Sequence, residues 1–185
     1  MDTFPTTKAH PALAWVRSAA DERERGHGIA VAGAVLWCLL LGWIAFVQGR
    51  SVPLLSLVDL GFHELGHLLT YPFADRVTAV MGSVAQVGTP LGLAVYFGWI
   101  RNDRVGASVC LTWAATAARD VSVYIRDAPY QRLELIGGEH DWAFLLAAEL
   151  HRAERLGRNV QAFGVLLLLA ALGLAISIPF VRSRH

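Results

Sequence analysis

Charged residues are scarce in this sequence of 185 residues: they make up 17% of the chain, whereas 55% is hydrophobic. An average soluble domain is about 25% charged and about 45–50% apolar. The formal net charge of +1 gives no long-range attraction to phosphate, so a nucleic-acid partner is not expected. The two cysteines, Cys38 and Cys110, lie in apolar runs and imply no disulfide framework. This composition excludes a disordered chain and indicates a protein of the lipid bilayer.

Long uncharged segments define the predicted fold. A transmembrane helix requires about 20 predominantly apolar residues, and segments 29–47, 77–100 and 160–181 meet this requirement without any charge. Two further segments, 52–71 and 105–128, are apolar but contain ionisable residues. The sequence therefore predicts an all-α, polytopic membrane helix bundle with about five transmembrane helices.

The rest of the chain is expected to lie outside the hydrocarbon core. Residues 1–28 are mostly polar and predict a cytoplasmic N-terminal segment, which precedes a single transmembrane bundle over residues 29–185. Residues 140–158 combine an apolar patch with several charges. This pattern predicts an amphipathic helix at the membrane surface, although a solvated connector fits about equally well.

The distribution of basic residues predicts an orientation. If five spans alternate, the side of the N-terminus holds Lys8, Arg17, Arg23, Arg25, Arg76, Arg126, Arg132, Arg152, Arg155 and Arg158, and the other side holds Arg50, Arg101, Arg104, Arg182 and Arg184. Because cytoplasmic loops are enriched in Lys and Arg, the N-terminus and the site described below are expected on the cytoplasmic side. Only one of the 16 basic residues is a lysine, which is typical of GC-rich bacterial genomes, so we expect a multi-pass protein of a bacterial inner membrane.

The second predicted span contains the segment His63-Glu64-Leu65-Gly66-His67. Histidines at i and i+4 project from one helix face and can bind a single zinc ion. Glu64 then lies beside the metal, where it can accept a proton from a metal-activated water. Ionisable groups at membrane depth are costly unless they are paired, solvated or bound to metal. The alternative is a polar helix face in which Glu64 pairs with an arginine such as Arg119.

The third ligand must come from elsewhere, because a hydrolytic zinc site usually has three protein ligands and one open position. Asp120 is the first candidate, since it is expected at the same membrane depth as the two histidines. His140 and Asp141 follow two glycines in the next connection and are rival candidates. Asp127 is a further alternative nearer the surface. Tyr124 shares a helix face with Asp120 and could donate a hydrogen bond near the water or a developing oxyanion.

These features resemble the site-2 protease family of intramembrane zinc metallopeptidases. That family carries HExxH on one transmembrane helix and an aspartate ligand two helices later, the order in which Asp120 follows the two histidines here. The family also has a Gly-Pro-x-x-Asn-like segment on the intervening helix. Gly82 to Gln86 stands in a similar place, with Ser83 for the proline, and the resemblance implies that Gly82 and Gln86 bind an extended substrate. Asp120 departs from the family motif, because Ala118 and Arg119 precede it.

The resemblance implies a minimal or divergent zinc metallopeptidase with one Zn²⁺ per chain. It would hydrolyse peptide bonds of membrane proteins or membrane-associated peptides, with Glu64 as general base. A non-proteolytic metal sensor, carrier or inactive scaffold would need the ligands but not Glu64. A di-iron oxidase or desaturase would require more His and Glu clusters than a chain with seven histidines offers. A purely structural bundle would need no metal at all.

Overall fold

The computed structural model describes the backbone of residues 11–135 and 139–182, and the side chains of residues 25–135 and 139–177. Every regular element in these ranges is a helix, which confirms the predicted all-α class. The α-helices are α1 (Pro11–Gly42), α2 (Leu55–Thr70), α3 (Asp75–Val95), α4 (Arg104–Asp127), α5 (Asp141–Leu145) and α6 (Ala153–Arg182). Short π-helical turns extend α1 over Trp43–Val47 and α3 over Tyr96–Ile100, and a 3-10 turn at Leu150–Arg152 precedes α6.

Three helical segments in the described ranges are long and apolar enough to cross a membrane: Arg25–Val47, Asp75–Ile100 and Leu150–Ser177. They correspond to the first, third and fifth predicted spans. The two segments with ionisable residues differ from these. α2 has 16 residues, about 24 Å at 1.5 Å per residue, and is shorter than a hydrocarbon core of about 30 Å. α4 has 24 residues, of which 13 are buried.

The helix α4 lies at the centre because small residues let its neighbours approach closely. A Cβ added to Gly157 of α6 would lie 2.8 Å from the carbonyl oxygen of Ser122, and one added to Gly164 would lie 2.9 Å from that of Ala115. Close backbone approach of this kind favours helix association in membranes. Along α6 the residue numbers rise while those of the contacted α4 residues fall, so α4 and α6 are antiparallel.

The helices α1 and α4 point in the same direction. In α1, Cys38 Sγ lies 3.0 Å from Thr112 Oγ1. Just beyond the π turn that extends α1, the carbonyl of Gly49 accepts a hydrogen bond from Arg119, seven residues further along α4. Residue numbers therefore rise together along these two helices.

The helix α2 also points in the direction of α4, and α3 points the opposite way. Asp59 of α2 accepts a hydrogen bond of 2.6 Å from Trp113 Nε1. One turn later the His63 ring lies 5.8 Å from the Tyr124 ring. The hydroxyl of Thr78, near the start of α3, donates to the carbonyl of the last residue of α2 at 2.9 Å, so these two helices form an antiparallel hairpin.

The common direction of α1 and α2 differs from the predicted alternation of five spans. Residues 48–54 connect the two helices, and seven extended residues reach about 25 Å, less than a hydrocarbon core of about 30 Å. The connection is also folded inward, because the Ser51 hydroxyl donates to Asp120 at 3.0 Å. The described helices therefore do not confirm five alternating spans. Hydropathy reports apolar composition and carries no information on helix direction.

The predicted surface helix over residues 140–158 is not one helix. Only Asp141–Leu145 is α-helical before the 3-10 turn, and the chain from Ala153 onward belongs to α6. The short helix is anchored inside the bundle, where the indole N–H of Trp142 donates to the Ser83 hydroxyl of α3 at 3.0 Å. At the other end of the chain, α1 begins at Pro11, so much of the predicted polar segment 1–28 is helical.

Candidate metal centre

The two histidines of the HExxH segment meet on one face of α2, as their spacing predicts. Their ring centroids are 4.7 Å apart in an edge-to-face arrangement. His63 is buried, with 8% of its surface exposed, and His67 is partly buried. The helix is apolar on its outer face, where Leu68 and Leu69 are exposed. The imidazoles therefore face the interior of the bundle.

Asp141 completes a group of three side chains with these histidines. Its Oδ2 lies 3.1 Å from His63 Nε2 and 3.3 Å from His67 Nε2. The ligand atoms of all three lie within 4.8 Å of one another, and no other group of this kind occurs among the described residues. Two imidazole nitrogens with one carboxylate oxygen are a donor set that suits a catalytic zinc ion.

Hydrogen bonds on the far side of each imidazole turn both Nε2 atoms toward Asp141. His67 Nδ1 lies 2.9 Å from the carbonyl oxygen of Thr78, and His63 Nδ1 lies 3.3 Å from Gln86 Oε1. Both partner oxygens can accept an Nδ1 proton, and on the other side of each ring Nε2 lies against Asp141 Oδ2. Metal-ligating histidines are commonly oriented by such partners.

Gly82 of α3 preserves the space in front of the ligands. A Cβ built on this residue would lie 2.5 Å from His67 Nε2 and 2.7 Å from His63 Nε2. A real side chain does not approach that closely, so only glycine fits against the two Nε2 atoms. The donor set and this open space together fit a zinc ion.

Asp120, the first candidate for the third ligand, is not a member of this group. Its Oδ1 accepts hydrogen bonds from the Arg119 guanidinium at 2.8 Å and from the Ser51 hydroxyl at 3.0 Å. The Asp120 side chain lines the same cavity as the histidines. Equal depth on two helices does not fix the direction of a side chain, and here the neighbouring Arg119 determines it.

His140 and Asp127, the remaining candidates for the third ligand, make contacts within the connection between α4 and α6 that contains Asp141. His140 is buried and stacks on the Tyr124 ring, with centroids 4.3 Å apart. Its Nδ1 accepts the backbone N–H of Ala143 at the start of α5, and its Nε2 lies 3.6 Å from Asp127 Oδ2. Burial lowers the pKa of His140 against the opposing effect of the Asp127 charge. The two glycines before this segment lie outside the described residues.

Asp141 is held as a carboxylate. Burial raises the pKa of its carboxyl group, but the hydrogen bond with His63, the charge of His67 and the hydrogen bond with Tyr124 lower it more. The net pKa therefore lies below the ordinary value of an aspartate. An ionised oxygen is the form that a metal ion requires.

Two cavities adjoin the three ligands. One of about 570 Å³ is lined by Glu64 and Tyr124 among others, and one of about 780 Å³ extends towards Tyr71 and Phe144. His67, Glu139 and Asp141 line both cavities. Within the described ranges, the Glu64 carboxylate has no ion-pair or hydrogen-bond partner. The pairing of Glu64 with Arg119 that the sequence left open is absent, because Arg119 binds Asp120.

The residues expected to bind substrate contact the ligands instead. Gly82 and Gln86 lie against the histidines, and the Tyr124 hydroxyl lies 3.1 Å from Asp141 Oδ2. Their predicted role in substrate binding stays a prediction. Asp59, one turn before His63, accepts a hydrogen bond from the indole of Trp113.

Sequence reasoning missed two contributors to the centre. Thr78 acts through its carbonyl oxygen, an atom that every residue has, so no sequence pattern could have identified it. Ser83 accepts the indole N–H of Trp142. The sequence did indicate this contact in part, because Trp142 directly follows a candidate ligand and its indole N–H needs a hydrogen-bond partner when it is buried.

No protein-family model, curated protein or solved structure matches this chain. What the centre could do is therefore argued from its own atoms: three convergent side chains that could hold a metal ion, the Glu64 carboxylate that lines the same cavity, and a second cavity next to it.

Proposed function

We propose that this chain is a membrane-embedded zinc metallopeptidase that hydrolyses peptide bonds of membrane-associated proteins or peptides. The observation that carries the proposal is the convergence of His63 Nε2, His67 Nε2 and Asp141 Oδ2 within 4.8 Å, beside the unpaired Glu64 carboxylate. A Zn²⁺ ion bound there would polarise a water molecule and lower its pKa to about 7.

Glu64 is the residue that moves the proton in this proposal. It follows the first ligand directly and lines the cavity of about 570 Å³, where its carboxylate is free to accept a proton from the attacking water. It would then deliver that proton to the nitrogen of the leaving strand.

The two cavities favour a peptide as the substrate. They share His67, Glu139 and Asp141 as lining residues, and one is lined further by Ser51 and Asp120, the other by Tyr71 and Phe144. A peptide must continue past the reacting bond in both directions, and an extended strand advances about 3.3 Å per residue. Two adjoining cavities offer space for such a strand, whereas a small metabolite would require one cavity only.

Glu64→Gln should reduce peptide hydrolysis by at least about 100-fold, the lower end of what a general base contributes, while zinc stays bound. The amide keeps the size of the side chain but cannot accept the proton. The rate is measured on detergent-purified, zinc-loaded protein with a library of quenched fluorescent apolar peptides, and zinc per chain by mass spectrometry.

Glu134→Gln is the matched control for this experiment, because Glu134 lines the same cavity and should tolerate the change. Undiminished hydrolysis by the Glu64 variant would refute the proposed mechanism. A wild-type chain that binds zinc and cleaves no peptide of the library would instead indicate the non-proteolytic metal protein.

We further propose that four helices cross the membrane completely and that α2 is re-entrant. The three long apolar segments are joined by α4, whose 24 residues extend about 36 Å. α2 then begins inside the bilayer and leads to the face that α1 has already reached, because the two helices share a direction. Irregular backbone at membrane depth is tolerated where protein buries it or where it lines a cavity, and Ser51 of this connection lines one.

This arrangement puts the start of α1 and the end of α6 on one face and the metal centre near the opposite face. The distribution of basic residues between the two faces also differs from that of five alternating spans. The face of the N-terminus would hold Lys8, Arg17, Arg23, Arg25, Arg101, Arg104, Arg182 and Arg184, and the other would hold Arg50, Arg76, Arg126, Arg132, Arg152, Arg155 and Arg158. Eight basic residues against seven select no orientation. The proposed location remains a bacterial inner membrane.

Cysteine labelling should place Gly26 and Asp75 on opposite faces of the membrane, and Gly26 and Arg101 on the same face. Each position receives a single cysteine in a chain whose buried Cys38 and Cys110 are replaced by alanine. A membrane-impermeant maleimide is then applied to intact spheroplasts and to inverted vesicles. Labelling of the Gly26 and Asp75 positions from the same face would restore the five alternating spans.

A further inference from the structure

A single hydroxyl contacts both the main chain and the side chain of one ligand. Tyr124 Oη donates a hydrogen bond to Asp141 Oδ2 at 3.1 Å and accepts the backbone N–H of Asp141 at 3.0 Å. The same Oδ2 faces the Nε2 atoms of His63 and His67. Both hydrogen-bonding functions of this hydroxyl are therefore used on the atom group that would bind the metal.

Asp141 needs such a restraint because of where it lies in the chain. The two histidines belong to a helix of 16 residues, whereas Asp141 begins a helix of five residues in the connection between α4 and α6. A short helix in a connection does not position a carboxylate by itself. The anchor has to come from a rigid neighbour.

The Tyr124 ring is itself firmly placed. It belongs to α4, the most buried helix of the bundle, and it stacks on His140 with centroids 4.3 Å apart. On another side the His63 ring meets it edge to face at 5.8 Å. Contacts on two sides fix the ring, and the ring fixes its hydroxyl.

We propose that Tyr124 is a positioning residue that holds Asp141 with its Oδ2 directed at the histidine pair, where it would bind a metal ion. This inference rests on the proposed function only as far as metal binding and does not depend on hydrolysis. It replaces the expectation that the Tyr124 hydroxyl stabilises an oxyanion, since Asp141 uses both the donor and the acceptor of that group.

Tyr124→Phe should weaken Zn²⁺ binding about 10- to 100-fold, the usual effect of removing a group that orients a metal ligand. The variant keeps the ring and its stacking on His140 but loses both hydrogen bonds to Asp141. Affinity is measured on the detergent-purified full chain by competition with a chromophoric chelator. The visible spectrum of the Co²⁺-loaded protein should change as well, which a purely structural effect on packing would not produce.

Tyr130→Phe is the matched control, because the Tyr130 side chain is 63% exposed and its ring contacts Arg132 away from the ligands. A double-mutant cycle then separates positioning from packing. In an Asp141→Ala background, Tyr124→Phe should cause no further loss of residual Zn²⁺ affinity. An equal loss in both backgrounds would show that Tyr124 does not act through Asp141.

The outcomes separate this inference from the proposed peptidase activity. Unchanged Zn²⁺ affinity and an unchanged Co²⁺ spectrum in Tyr124→Phe would overturn the positioning role, whatever the wild type hydrolyses. If Tyr124→Phe weakens Zn²⁺ binding as expected and the wild type hydrolyses no peptide, the positioning role is supported and only the proposed peptidase activity is overturned. A wild-type chain that binds no Zn²⁺ would overturn both.

Discussion

Asp141→Asn should remove zinc from the protein, whereas Asp120→Asn should leave about one ion per chain, the stoichiometry of a single three-ligand site. The reason is the direction of the two carboxylates. Asp141 Oδ2 lies within 3.3 Å of both histidine Nε2 atoms, while Asp120 Oδ1 binds Arg119 and Ser51. Zinc per chain is measured by mass spectrometry after dialysis against a chelator.

The two asparagine variants are matched in size, and the amide oxygen at position 120 still accepts from Arg119 and Ser51. Thermal unfolding in detergent shows whether each variant is folded before its zinc content is compared. Zinc kept by Asp141→Asn and lost from Asp120→Asn would return the third ligand to α4. Zinc lost from both folded variants would mean that α4 and the α5 connection each supply a ligand.

Local chemistry was predictable from the sequence. The spacing of His63 and His67 on one helix determines that their rings meet, because side chains at i and i+4 share a face. The composition of the three uncharged segments likewise determined the helices that are long and apolar enough to span. Both properties depend on residues that are close in the chain.

The third ligand depends on packing between distant segments and could not be ranked from the sequence. Asp120 matched the histidines in depth, but an adjacent arginine binds its carboxylate. Asp141 reaches the histidines because Tyr124 binds it and because Trp142 anchors α5 to Ser83 of α3. These contacts join residues between 17 and 59 positions apart in the chain.

Helix direction is the second property that the sequence did not reveal. The segment 52–71 is largely apolar, yet in the first turns of α2 Asp59 is buried and binds the Trp113 indole in the interior of the bundle. The connection before it folds inward, where Ser51 binds Asp120. The ionisable residues of segment 52–71 therefore belong to a helix with two different faces. One face lines a cavity, and the other exposes Leu57, Leu68 and Leu69.

Gly82→Ala should abolish zinc binding although the substitution adds a single methyl group. The new Cβ would lie 2.5 Å from His67 Nε2 and 2.7 Å from His63 Nε2, so both imidazoles must turn away. Their Nδ1 hydrogen bonds to Thr78 and Gln86 resist that movement. Overpacking of this kind typically destabilises a fold by about 1–3 kcal/mol, which a lower thermal unfolding midpoint of the metal-free protein would register.

Gly88→Ala is the control for this prediction, because Gly88 lies in the same helix and an added Cβ there meets no atom within 4 Å. This variant should bind zinc like the wild type, and its higher helix propensity should stabilise α3 by up to about 1 kcal/mol. Full zinc binding by Gly82→Ala would contradict the placement of the metal against α3. It would mean that the two histidines direct their lone pairs elsewhere, and that the space at Gly82 serves the close packing of α2 on α3 alone.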